Sequence, residues 1–199
     1  MRQLVGQKAP DFKVQGVSPE GEIKTYQLAD FEGKYVVLFF YPLDFTFVCP
    51  LELLEMSKLA TSFEQENAVV LGVSIDSVHT HAAWRQTAVS QGGIGQLSYP
   101  LLSDVNRELI EQYGVANADP KVALRATVII DTKGVVRTYH VNDLPIGRNP
   151  QEVLRLVKSI EFHDQHGDVC PPNWEPGSQS LKPTAEGLKA YLADVSESA

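Results

Sequence analysis

Three stretches of the chain are apolar almost without interruption: Tyr35 to Tyr41 (YVVLFFY), Ala68 to Ile75 (AVVLGVSI) and Arg125 to Asp131 (RATVIID). Continuous runs of this length, rich in β-branched and aromatic residues, predict strands covered on both faces. After the first run the spacing changes to three and four. Leu53, Met56, Leu59 or Ala60, and Phe63 share one face and predict a helix from Pro50 to about Glu66. Further helices are predicted over about Val78 to Ser90, over Val105 to Tyr113, and over Pro150 to Phe162, where Val153, Leu154, Leu156, Val157 and Ile160 form the apolar face. A last helix, about Thr184 to Leu192, precedes a polar tail.

The remaining strands are shorter. One starts at Ala9–Phe12, the turn Ser18–Glu22 follows, and Ile23 to Leu28 alternates. Tyr99 to Leu102 is a short strand, and Val135 to Val141 returns after the hairpin turn Thr132-Lys133-Gly134. Gly92-Gly93-Ile94-Gly95 reads as a flexible loop. Strands alternating with helices and closing on a hairpin predict an α/β fold, with a mixed central sheet flanked by helices on both faces. No repeat or linker divides the chain, so its 199 residues read as one domain.

Hydrophobic content of 43% and charged content of 21% are those of an ordinary soluble globular protein. No run approaches the length of a membrane span. The first residues, MRQLVGQKAPDF, lack both a signal core and a transit pattern, so the expected compartment is the cytoplasm. A net charge of −8 removes nucleic acid as a default partner, since phosphate binding needs a basic face.

The two cysteines, Cys49 and Cys170, lie too far apart for a C-x-x-C motif or a zinc site. His79 and His81, at i and i+2, do not share a helix face, so no metal is expected; nor is any other cofactor.

Cys49 stands immediately before Pro50, and proline is favoured at the first helical position. The cysteine therefore sits at or just before a helix N-terminus, where free N–H groups and the helix dipole favour negative charge. An ordinary thiol with a pKa of about 8.5 is only about 3% thiolate at pH 7, so a site that favours the anion makes a nucleophile. The competing reading is a buried cysteine that only packs. Thr46, three residues back, offers a hydroxyl donor. Arg125, opening an otherwise apolar strand, is the candidate cation; its plainer reading is a surface ion pair. Glu52, in the first helical turn, either orients an arginine or simply complements the helix N-terminus.

The spacing Pro42-x-x-x-Thr46-x-x-Cys49 resembles the PxxxTxxC signature of peroxiredoxins. The longer string YPLDFTFVCP is similar to that of the typical two-cysteine subgroup, which includes the bacterial alkyl hydroperoxide reductase C subunit. The resemblance runs from VGQKAPDF at Val5–Phe12 to VCPPNWEPG at Val169–Gly177. It implies a thioredoxin-like fold with N- and C-terminal extensions, the latter spanning about 164–199 and carrying Cys170. It implies a thiol-dependent peroxidase acting on hydrogen peroxide and organic hydroperoxides.

On this resemblance Cys49 is the peroxidatic cysteine, and Cys170 is the resolving cysteine, pairing across a homodimer that assembles to a decamer. The reductant it implies is thioredoxin or a dedicated flavoprotein disulfide reductase. Arg125, within LRATVIID, matches the family's active-site arginine. Arg148, in DLPIGR, resembles a second, supporting arginine, and Pro42 shields the thiolate from water. The segment SVHTHAAW resembles one that packs and orders the active-site surroundings. Gly92-Gly93-Ile94-Gly95 is close to the GGLG loop of easily over-oxidised members, whereas Leu192 after Tyr191 departs from their Tyr-Phe pair. Moderate over-oxidation is the expectation.

The chemistry asks for more than a thiolate. Full ionisation multiplies the reactive form by about 30-fold at pH 7, and lowering a thiol's pKa also weakens it as a nucleophile, with a slope of about 0.4–0.5. The larger contribution must stabilise charge developing on the departing oxygen. Three rival readings are set against this one. A cysteine hydrolase needs a Cys–His pattern that no local motif provides. A thioredoxin-type oxidoreductase needs C-x-x-C, and Glu52 stands where the second cysteine would be. An oligomeric chaperone or scaffold is the non-enzymatic alternative.

Overall fold

The computed structural model describes residues 3–197. Its seven strands are β1 (Lys13–Val17), β2 (Ile23–Gln27), β3 (Tyr35–Phe40), β4 (Ala68–Ser74), β5 (Leu101–Ser103), β6 (Arg125–Ile130) and β7 (Val136–Asn142). They form one mixed sheet in the order β2-β1-β5-β4-β3-β6-β7. At its centre β3 runs parallel to β4 and antiparallel to β6. Every residue of β3 and β6 is buried, as their unbroken apolar runs require.

Alternation along β3 divides the core in two. Tyr35, Val37, Phe39 and Tyr41 face one layer, which contains Cys49, Leu53 and Met56 of α1 (Cys49–Lys58), Phe63 of α2 (Ala60–Gln65) and Val153, Leu154, Val157 and Ile160 of α5 (Pro150–His166). Trp84 of α3 (Val78–Gln86) joins them. Val36, Leu38 and Phe40 face the other layer, with Leu109 and Ile110 of α4 (Glu108–Gln112). Among the described residues no helix is long and apolar enough to cross a membrane.

The structure corrects several boundaries. The helix expected from Pro50 to Glu66 breaks at Leu59 (φ −96°, ψ 2°), whose amide bonds back to Met56 O in a tighter turn. The break lets α2 lay Ala60 and Phe63 into the core independently of α1. β5 starts at Leu101 rather than Tyr99, because Pro100 has no N–H to give the ladder. The first strand starts at Lys13, beyond Ala9–Phe12. α4 begins only at Glu108, where the Asp104 carboxylate accepts the Leu109 and Ile110 amides at 3.0 and 2.9 Å. α5 runs on to His166 and stops at Gly167, whose φ of 74° glycine adopts without strain. α6 covers Ala185–Glu197, so the expected tail begins later. Leu188 and Leu192 on α6 are about half exposed.

The loop Gly92–Gly95, read as flexible, is fastened. Trp84 Nε1 donates to Gly92 O at 2.8 Å, and the Ile94 amide donates to Trp84 O at 3.3 Å. A Cβ on Gly93 would lie 1.9 Å from Thr87 O, so only glycine fits there.

Where α2 meets α5, two carboxylates face each other. Burial first, and then the hydrogen bond and charge of Glu66, push Glu161 up to about 7. Between the ordinary value of 4.5 and about 7, the folded chain keeps a proton that the unfolded chain has lost. Stability must therefore fall as pH rises through that window. Glu161→Gln should raise the melting temperature more at pH 8 than at pH 5, measured by calorimetry. Equal gains at both values would refute the coupling.

Candidate active site

β3 ends at Phe40 and delivers the chain to Tyr41 and Pro42, both buried. The loop then turns through Phe45, whose φ is 53°. Cys49 is the first residue of α1, followed by Pro50, and no side chain caps this helix end. Its free amides and dipole meet the cysteine itself. Antiparallel pairing sets Phe39 opposite Thr127, which brings the start of β6, and so Arg125, to the same end of the sheet.

Cys49 is fully buried, and its Sγ accepts a hydrogen bond from Arg125 Nη1 at 3.4 Å. The same nitrogen donates to Glu52 Oε2 at 2.8 Å, while Arg125 Nε holds Leu144 O at 2.5 Å. Arg148 grips the other side of Glu52. Its backbone amide and Nε donate to Oε1 at 2.7 and 2.9 Å, and its Nη2 donates to Oε2 at 3.0 Å. Arg148 Nη1 also donates to Ala126 O at 2.6 Å, and its guanidinium carbon sits 3.3 Å above the centre of the Phe39 ring.

Glu52 thus accepts from both arginines at once, the fork geometry that suits guanidinium to carboxylate. Burial works to raise the Glu52 pKa, but the Arg148 hydrogen bonds and charge, with Arg125 behind them, hold it below the ordinary value. Burial lowers the Arg148 pKa, and Glu52 offsets this in part; the guanidinium keeps its charge regardless. Two buried cations and one buried anion leave one positive charge in excess beside the Cys49 sulfur. A thiolate there would balance the cluster.

The sequence-predicted residues are not equally placed. Cys49, Glu52, Arg125 and Arg148 form one hydrogen-bonded cluster, and Arg148, expected only to support, makes its most numerous bonds. Thr46 differs from expectation. Its hydroxyl donates to Leu43 O at 2.9 Å, so its single proton is not directed at Cys49. Cys170 is a free, half-buried thiol whose Sγ lies 3.5 Å from Ser159 O on α5, and burial pushes its pKa up.

The segment SVHTHAAW, expected to order the surroundings of the site, places His81 behind the loop; its partner, Asp44, is what sequence reasoning missed. His81 Nδ1 lies 2.7 Å from Asp44 Oδ2, and His81 Nε2 bonds Leu102 O at 3.2 Å. Asp44 also accepts the Tyr41 hydroxyl at 2.8 Å, and its amide donates to Asp76 Oδ2 at 2.9 Å. This network ties the loop before Cys49 to α3 and β5. Outward from it, Phe45, Phe47, Leu51 and Ile146 remain exposed, Phe47 at 92%.

Comparison with known proteins points the same way. The model of the AhpC/TSA family matches residues 5–139, and that of the C-terminal domain of 1-Cys peroxiredoxin matches residues 159–193. The chain is 51% identical over 189 residues to peroxiredoxin-2 of Macaca fascicularis, covering 95% of each chain. Among solved structures, the reduced 2-Cys peroxiredoxin of Plasmodium vivax matches with a TM-score of 0.94 at 44% identity, covering 96% of this chain and all of that one. AhpC of Enterococcus faecalis matches with a TM-score of 0.80 at 37% identity, covering 85% of this chain and all of that one.

A thioredoxin-like sheet carrying a buried cysteine against an arginine therefore defines a thiol-dependent peroxidase. The chain belongs to the AhpC/TSA family and is a typical peroxiredoxin.

Proposed function

We propose that Cys49 is the peroxidatic nucleophile, that Arg125, held by Glu52 and Arg148, stabilises the departing oxygen, and that Cys170 of a partner subunit resolves the product. The observation that carries this reading is the 3.4 Å contact between Arg125 Nη1 and Cys49 Sγ inside a cluster with one excess positive charge. The Cys49 thiolate attacks one peroxide oxygen. The O–O bond breaks, and the second oxygen leaves with the electron pair and takes a proton as water or an alcohol. Charge grows on that oxygen as the bond breaks, and a fixed cation in a dry site stabilises it most at that moment. The Arg125 position is set by Leu144 O and Glu52, so it needs little reorganisation when the charge arrives. Pro42, buried before the loop, keeps bulk water from the sulfur.

Cys49 is left as a sulfenic acid, which condenses with the Cys170 thiol to a disulfide and water. A reductant thiol then attacks Cys170 and releases Cys49. We infer thioredoxin or a dedicated flavoprotein disulfide reductase in that role, hydrogen peroxide and organic hydroperoxides as substrates, and a cytoplasmic setting, where thiols are kept reduced. The exposed apolar residues Phe47, Leu51 and Ile146 beside the site, and Leu188 and Leu192 on α6, suit burial in a homodimer and a decamer built from it.

The test is direct. Peroxide treatment should produce a disulfide-linked dimer on non-reducing gels. Cys170→Ser should abolish that dimer and leave a single turnover of peroxide. A wild-type disulfide confined to one subunit would overturn the intersubunit pairing.

A further inference from the structure

The segment that carries Cys170 is attached to the rest of the molecule at few points of burial, and one side chain dominates them. From Glu161 to Ser196, Trp174 is the only buried residue among the described side chains, at 3% exposed. It sits four residues after Cys170. Its ring centre lies 4.8 Å from that of Phe162 on α5. Its carbonyl accepts Arg155 Nη1 at 2.8 Å, and Arg155 is itself held in place by two bonds to Glu152, at 2.6 and 2.8 Å. The other ties of the segment to α5 are polar and partly open to water: His163 Nδ1 to Asp168 O at 2.8 Å and Cys170 Sγ to Ser159 O at 3.5 Å, while Ser180 to Asp168 at 2.7 Å and the Val169–Leu181 backbone pair close the segment on itself. Water can replace such bonds when the segment lifts, whereas nothing replaces the burial of the indole.

The seat has a built-in weakness. Trp174 Nε1 is enclosed and has no hydrogen-bond partner among the described residues. Trp84, the other tryptophan, is as deeply buried, yet its Nε1 reaches Gly92 O. A stripped N–H makes the seated state less favourable, and release returns the group to water. The resolving segment must leave its place on α5 if Cys170 is to reach Cys49, so a seat that is firm but under-satisfied matches the task.

We propose that Trp174 is the latch of the resolving segment: the indole seats it on α5, and the unpartnered N–H keeps that seat weak enough to open on each turnover. This rests on Cys170 being the resolving thiol. Trp174 is a positioning residue. It sets how fast Cys170 becomes available, and so how sulfenic Cys49 divides between disulfide, formed with loss of water, and sulfinic acid, formed when a second peroxide arrives first.

The experiment places β-(3-benzothienyl)alanine at position 174, which keeps the shape of indole and lacks the N–H, and compares it with wild type and Trp174→Ala. Amide hydrogen exchange at Val169 and Leu181, in the reduced full-length protein without peroxide, reads opening alone. The isostere should slow that exchange by about fivefold or more, and Trp174→Ala should speed it by at least about tenfold. During turnover the sulfinic fraction at Cys49, counted by intact mass, should rise with the isostere and fall with alanine. Unchanged or faster exchange with the isostere, or unchanged exchange with alanine, overturns the latch. Each variant is repeated with Cys170→Ser: a disulfide that persists there overturns the resolver assignment instead, whatever the exchange shows.

Discussion

Cys49→Ser is expected to lose more than about a thousandfold in the second-order rate with peroxide, at least about 4 kcal/mol of transition-state stabilisation. A serine hydroxyl stays neutral at pH 7, so the excess positive charge beside it would meet no anion, and attack on the O–O bond would lose its nucleophile. The fold should survive, since Arg125 keeps its bonds to Glu52 and Leu144 O. Stopped-flow peroxide consumption with the reduced protein checks the rate, and circular dichroism checks the fold. Activity within tenfold of wild type would move the nucleophile to Cys170, which the structure places on α5 against Ser159.

The second large effect belongs to Glu52. It is 4% exposed and joins two guanidinium groups that are buried with it. Removing one partner of a buried ion pair typically costs about 3–5 kcal/mol, because the remaining charge has neither water nor counter-ion. Glu52→Ala strands two cations, and the cluster changes from one excess positive charge to two. For a chain of this size the melting temperature should fall by roughly 6–20 °C. Activity should fall as well, because the Arg125 guanidinium loses one of its fixed anchors. Glu52→Gln keeps the shape and one acceptor oxygen, so it should lose less than alanine on both measures. A melting temperature within 2 °C of wild type for Glu52→Ala, on the same size scaling, would show that Glu52 is not the keystone of the cluster.

The centre of the fold was legible from hydrophobic pattern because β3, β4 and β6 are buried on both faces and must be apolar throughout. Cys49 was legible because Pro50 marks a helix start independently of any tertiary contact. Arg125 stood out as a charge at the edge of an apolar run. The pairing of Asp44 with His81 was not legible. These residues are 37 positions apart, and neither breaks a local rule that would flag it. The same holds for Glu52, where one local signal, an acid in a first helical turn, served two explanations until Arg125 and Arg148 were seen on either side of it. The break at Leu59 left no mark either, since neither proline nor glycine stands there and the packing of Phe63 decides it. The Thr46 hydroxyl's direction was not legible for a related reason: it depends on a rotamer, and here it donates to Leu43 O.

The antiparallel pairing of β3 with β6 also orders events during synthesis. Cys49 and Arg125 meet across 76 positions of sequence. At the usual pace of translation, those residues take roughly 4–15 s to add. Throughout that interval the nascent chain displays a thiol whose cation has not yet been made. On the proposed role of Cys49, the thiol meets the arginine that serves peroxide reduction only when β6 docks beside β3, so an unfinished or truncated chain would carry the cysteine without that cation.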